Sequence, residues 1–108
     1  MGNKQTKIIS LLKKFKKEIE KKTKVNEMIL FGSMAKGLEK ENSDVDLIIV
    51  SEDFSGQKSF KRSPQFYFMW DSKYDLDVIC LTPVELKEKK KQIGIVKEAV
   101  REGIKIKN

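Results

Sequence analysis

Apolar residues first recur at helical spacing. Ile8, Leu11, Leu12, Phe15 and Ile19 share one stripe, and lysines fill most other positions. This pattern predicts a covering helix over residues 4–22. Residues 25–31, VNEMILF, read as a strand that ends at Gly32-Ser33. A short helix over 33–39 should follow, and the polar KENS stretch, 40–43, reads as a turn. The clearest strand is DVDLIIV, residues 44–50. Gly56 and scattered serines predict a loop over 51–60. Ser63-Pro64 is a helix start, with Ser63 as N-cap and Pro64 at the first helical position. The helix it opens, 64–72, carries Phe66, Tyr67, Phe68, Met69 and Trp70. A third strand spans 74–81, YDLDVICL. Thr82-Pro83 opens a helix to about Lys91 in the same way as Ser63-Pro64. A last helix, 94–102, ends at Gly103 as a C-terminal glycine. Ile104 and Ile106 alternate with lysines and suggest a short edge strand. The order αβαβαβα has no repeat and no linker, so residues 1–108 are expected to form one α/β domain.

Composition narrows the chemistry. The chain has no histidine and one cysteine, Cys80. This excludes an intramolecular disulfide, a Cys/His zinc site and catalysis by serine–histidine or cysteine–histidine pairs. Acid–base or metal chemistry must use carboxylates, lysines, hydroxyls or backbone groups. Cys80 itself reads as a small core residue. The net charge of +7 comes almost wholly from lysine. Such a balance suits a polyanion-binding surface. Lysines alternating with glutamates, with few Asn and Gln, also fit a thermophile surface, and no basic patch is interleaved with aromatics. No apolar run is long enough to cross a membrane, and the N-terminus lacks the apolar core of a signal peptide, so a cytoplasmic location is expected.

Three places can carry chemistry. Asp44 and Asp46 are two apart in a strand, so they share a face with Ile48 and Val50. Their Cα atoms lie about 6–7 Å apart, and their carboxylates can lean onto ions about 3.5–4 Å apart, as in two-metal sites. Alone, the pair reads equally as two solvated surface acids. Gly32-Ser33 sits where a strand gives way to a helix. Backbone N–H groups and a hydroxyl there can hold an anion, or Ser33 can simply cap the helix. Asp77 lies among aliphatics in a strand, which is costly unless it is paired or bound to metal. Asp75 shares its face but lies nearer the strand start.

Together these residues match one arrangement. Gly32-Ser33, ten residues (34–43), Asp44-Val45-Asp46 and a third acid on a later strand resemble the nucleotidyltransferase superfamily that includes DNA polymerase beta. FGSMAKGLEKENSDVDLIIV (31–50), LDVICLTPVEL (76–86) and EGIKI (102–106) are similar to the corresponding parts of its minimal members. The resemblance implies a nucleotidyltransferase fold: a small mixed sheet of three or more strands flanked by helices. It implies that Asp44, Asp46 and Asp77 are catalytic and bind two Mg²⁺ ions. Gly32, Ser33 and Lys36 would bind the triphosphate of ATP or another NTP. Lys36 stands where relatives often have arginine, and Met34 follows Gly-Ser where many have arginine.

The resemblance further implies transfer of AMP to a hydroxyl. The expected acceptor is a tyrosine of a HEPN-domain partner, in an antitoxin role. Two other classes remain open: a catalytically weak module that binds nucleotide or partner, and a basic nucleic-acid-binding protein. Residues 60–70, FKRSPQFYFMW, have no assigned role in the motif. Their aromatics read as packing over the sheet, or as a base-stacking or partner-binding surface with Arg62 near the triphosphate.

Overall fold

A computed structural model of the chain describes residues 3–37 and 44–108. Helix α1 (Asn3–Glu20) has neither Gly nor Pro to interrupt it. It buries Ile8, Leu12, Phe15 and Ile19, the predicted stripe, while Leu11 stays half-buried at its border. Strand β1 (Glu27–Phe31) pairs antiparallel with β2 (Val45–Val50), placing Phe31 opposite Asp46. Strand β3 (Leu76–Leu81) runs parallel to β2, placing Asp77 opposite Asp46. The predicted edge strand is β4 (Ile104–Lys105), antiparallel to β1. The sheet is mixed, in the order β3-β2-β1-β4.

Alternation along β2 divides the core. Val45, Leu47 and Ile49 pack under α1 with Met28, Leu30, Val78 and Cys80. Ile48 and Val50 face the other way, against Leu81, Leu86 and Ala99. That second layer is built by α5 (Pro83–Lys89) and α6 (Ile95–Glu102). Helix α2 (Ser33–Lys36) is one turn long, and Gly37, at φ 70°, ends it in the left-handed region. It is therefore shorter than the predicted helix over 33–39. The rest of that helix, and the expected turn at 40–43, lie outside the described residues.

The segment joining β2 to the parallel β3 holds more structure than the loop expected over 51–60. A 3-10 turn at Glu52–Phe54 plugs Phe54 into the core, and α3 (Ser59–Arg62) and α4 (Pro64–Met69) follow. The two Pro-led helix starts differ. Thr82 accepts from the Glu85 backbone N–H, and the Glu85 side chain accepts from the Thr82 backbone N–H, a full capping box. Ser63 is itself in helical conformation and makes no side-chain cap. It has Phe66, not a carboxylate, three residues on. Gly103 ends α6 as expected, but with an extended backbone and not in the left-handed region. A Cβ there would collide with the carbonyls of Ala99 and Leu30 and with Ile29. Close approach of α6 to β1 is what demands glycine here.

Arg62 is buried. It donates to the carbonyls of Gln57 and Cys80 and forms a bidentate pair with Glu85. A buried guanidinium requires such partners. Arg62 thus ties the connecting segment to the far end of β3 and the start of α5. It does not stand at the carboxylate end, so of the two readings of this stretch the one with Arg62 near a triphosphate does not hold.

Candidate functional site

Three strands put one row of side chains on the same face at one level: Phe31, Asp46 and Asp77. Asp44 precedes β2 by one residue and is exposed. The row lies at the end of the sheet where β1 finishes and β2 and β3 begin. Further along, the same face is aliphatic and closed by α5 and α6. Asp46 is half-buried and Asp77 is exposed. Burial, together with the Asp77 and Asp44 carboxylates, holds the Asp46 carboxyl above the ordinary carboxylate value of 3.8. Burial is the larger cause, and the neighbouring carboxylates add to it.

Gly32 shapes the floor of the site. Its φ is 77°, and a Cβ built on it would overlap Oδ2 of Asp46. The carboxylate therefore occupies the space that any other side chain at position 32 would take. Ser33 opens α2. Its hydroxyl makes no hydrogen bond to the described residues, and Gly32, not Ser33, stands at the cap position. Ser33 is half-buried beside the carboxylate row and open to a ligand. A four-residue helix cannot hold itself in water. Met34, fully buried, anchors it from below. Gln5 caps its far end, donating to the Met34 and Ala35 carbonyls at 2.9 and 3.0 Å. Gln5 is a positioning residue the sequence reading missed; its signal was a polar side chain at the border of an apolar stripe.

Lys36 leans toward α6, where its Nζ lies 3.1 Å from Glu102. Both side chains are largely exposed, so solvent screens the pair. Lys36, Gly32, Phe31, Ile95, Ala99 and Glu102 are among the walls of a cavity of about 110 Å³ between α2 and α6. Asp75 is exposed before β3. Burial pushes the Cys80 thiol up to about 12, which fits a core residue and not a nucleophile.

The donor set consists of hard carboxylate oxygens, and its charge is unbalanced. Both features suit a small divalent cation such as Mg²⁺. Among the described residues no three acidic or thiol groups close around a common point. The carboxylates form an open row instead. An open row also suits Mg²⁺ bound by one or two carboxylates together with the phosphates of a substrate. No helix among the described residues is long and apolar enough to cross a membrane.

Comparison with known proteins gives the family and the fold. The family model described as "Nucleotidyltransferase domain" matches residues 12–67. A Methanocaldococcus jannaschii protein, "Putative protein adenylyltransferase MJ0141", is 35% identical over 83 residues, covering 75% of this chain and 81% of that one. A second protein of that organism, "Putative protein adenylyltransferase MJ1215", is 43% identical over 42 residues, covering 39% of this chain and 49% of that one. The crystal structure of "a putative nucleotidyltransferase from Sulfolobus solfataricus" superposes with a TM-score of 0.68 at 22% identity, covering 94% of this chain and 80% of that one. At that identity the match speaks for the fold alone.

Proposed function

This chain belongs to the nucleotidyltransferase domain family and is a nucleotidyltransferase enzyme, and from that premise we propose that it moves AMP from ATP to a tyrosine hydroxyl of a HEPN-domain partner protein. The observation that carries the reading is the register of Asp46 with Asp77, with the Asp46 carboxylate filling the space above Gly32. The protein-adenylyltransferase names of the two relatives support a protein acceptor. The family resemblance supports the HEPN partner and the antitoxin role.

Asp44 and Asp46 would hold both of two Mg²⁺ ions, and Asp77 would hold the one nearer the acceptor. Such ions, when bound, neutralise charge on the transferring phosphoryl group and lower the pKa of the attacking hydroxyl. The rest falls to the protein. Gly32 lets the Asp46 carboxylate lie against the backbone at the start of α2. The Ser33 hydroxyl and the first N–H groups of α2 donate to the β- and γ-phosphates. Lys36, released from its screened pair with Glu102, adds a mobile positive charge. Asp77, on the outer strand of the pair, faces the incoming hydroxyl. In-line attack of the tyrosine oxygen on the α-phosphorus would form the new P–O bond, break the bond to the oxygen bridging the α- and β-phosphates, expel pyrophosphate and release the hydroxyl proton to solvent. Docking of the partner makes this effectively intramolecular.

Asp77→Asn tests the assignment. Wild type is incubated with α-labelled ATP, Mg²⁺ and a HEPN-domain protein, and mass spectrometry should find an added AMP on tyrosine. The variant should lose transfer by at least about 100-fold yet keep a rise in melting temperature with Mg·ATP, because Asp44 and Asp46 still hold nucleotide. Transfer at the wild-type rate by Asp77→Asn would overturn the role given to it and make Asp75 the next candidate. Labelling of a small molecule but no protein would keep the transferase and remove the antitoxin role.

A further inference from the structure

The aromatic stretch 60–70 splits into an inner and an outer set. Phe66 is fully buried and meets Phe54 edge-on, with ring centroids 5.9 Å apart. Trp70, one turn later, meets Phe15 of α1 at 5.0 Å, and its indole N–H donates to the Tyr74 carbonyl. These two satisfy the packing role of α4. The remainder faces water. Phe60 is 70% exposed, Tyr67 42%, Phe68 91% and Met69 36%. Single exposed apolar residues are ordinary; here four fall within ten positions of one connecting segment, a concentration of apolar surface of the kind interaction sites use.

The patch is tied to the site. The Tyr67 hydroxyl accepts a 2.9 Å hydrogen bond from the backbone N–H of Val78, the residue after Asp77. Strand β3 is an edge strand. Tyr67 satisfies one of its outward groups and Arg62 another, the Cys80 carbonyl. This blocks pairing by another strand and leaves side-chain docking as the way to approach this edge. The Tyr67 hydrogen bond thus fixes α4, with its exposed aromatics, to the outer edge of the strand that carries Asp77, one residue beyond it. Their border is basic. Lys58, Lys61 and Lys73 stand against Asp71 alone over 58–73, since Arg62 is consumed by Glu85.

We propose that Phe60, Tyr67, Phe68 and Met69 form the surface on which the acceptor protein docks, meeting it with an apolar segment flanked by acidic residues. The inference rests on the protein-acceptor reading above and adds to it where the acceptor is held. Aromatic side chains bury large areas at small cost in conformational entropy, which suits them as anchors at an interface. The lysines steer and orient the acidic flanks. Because α4 is fixed to β3 beside Asp77, a partner seated on the ridge has its hydroxyl delivered to one place.

The test uses fluorescent peptides carrying one tyrosine, several leucines and glutamates, with matched peptides in which lysine replaces glutamate. Binding is read by anisotropy on the full chain in the presence of Mg²⁺ and a non-hydrolysable ATP analogue. The acidic peptides should bind, and the lysine peptides should not. Phe60→Ser/Phe68→Ser should weaken acidic-peptide binding by about tenfold or more. Its melting temperature, and the rise that Mg·ATP produces, should stay at wild-type values, since both rings are solvent-exposed. Lys58→Glu/Lys61→Glu should shift preference toward the lysine peptides. Equal binding of both peptide classes, no binding of either, or an unchanged affinity in the phenylalanine variant would overturn the proposal. So would loss in that variant of single-stranded oligonucleotide binding, or of self-association, without any peptide effect. A lost Mg·ATP shift in wild type would instead count against the nucleotide site itself, so the two failures are distinguishable.

Discussion

The two faces of the sheet are covered differently, and the difference locates the chemistry. On one face the 18-residue helix α1, with Phe54, Phe66 and Trp70 of the connecting segment, lies over the strands, and Val45, Leu47 and Ile49 beneath are fully buried. On the other, two short helices of 7 and 8 residues close over Ile48, Val50 and Leu81, while Asp46 and Asp77, at the start of their strands, remain accessible. The same strands therefore serve two purposes through their period of two. Odd positions of β2 build the core. Even positions begin as carboxylates at an open end and finish as aliphatics under cover. Stability should depend mainly on the first face and nucleotide transfer on the open end of the second.

Leu12→Ala tests the closed face. Leu12 is fully buried in the centre of α1, so truncation should cost about 2–5 kcal/mol in denaturant unfolding. Below the new melting temperature, Mg·ATP binding should be retained. Loss of nucleotide binding in a still-folded variant would show that the two faces are not separable in this way.

Gly32→Ala tests the open end, with Gly56→Ala as its control. Both glycines have positive φ, 77° and 83°. Each substitution should carry about 1–3 kcal/mol of backbone strain. Only at position 32 would the new methyl overlap the Asp46 carboxylate, since nothing lies within 4 Å of a Cβ at position 56. Both variants should melt lower, but only Gly32→Ala should lose the rise produced by Mg·ATP. Equal behaviour of the two in that titration would remove Gly32 from the site.

Ser33→Ala should have a smaller and more selective effect. The serine's proposed partners are the β- and γ-phosphates, so calorimetry should show a loss of about 1.5–3 kcal/mol for ATP and little change for AMP. Equal losses for both would leave Ser33 a structural role only.

Much of the open end was legible in the sequence because it is local. Asp44 and Asp46 share a face by strand period alone, and Gly32-Ser33 marks a strand-to-helix change within four residues. Their convergence with Asp77 was not local: it depends on β2 and β3 pairing in parallel, and only the family resemblance anticipated it. The aromatic stretch was not legible, because six-residue α4 offers too little periodicity to tell Phe66 from Phe68. The choice between the two readings of Arg62 was closed to the sequence for a related reason. Its partner Glu85 is 23 residues away, and no spacing rule connects them. The unequal caps at Ser63 and Thr82 could have been separated, since Glu85 stands at the third helical position after Thr82 and Phe66 after Ser63.

Every role proposed for the open end requires its carboxylates to bind Mg·ATP. The most direct measurement is the melting temperature of wild type and Asp44→Asn/Asp46→Asn, each with EDTA and each with Mg·ATP. Because burial and the neighbouring carboxylates raise the Asp46 pKa in the folded state, its ionisation works against folding as pH rises through that raised value. In EDTA at neutral pH the variant should therefore melt no lower than wild type, and any advantage should vanish as pH falls below 3.8. With Mg·ATP, wild type should gain stability as ligand binding to the native state requires, and the variant should gain little or none. A variant that keeps the full Mg·ATP rise would contradict binding by these carboxylates.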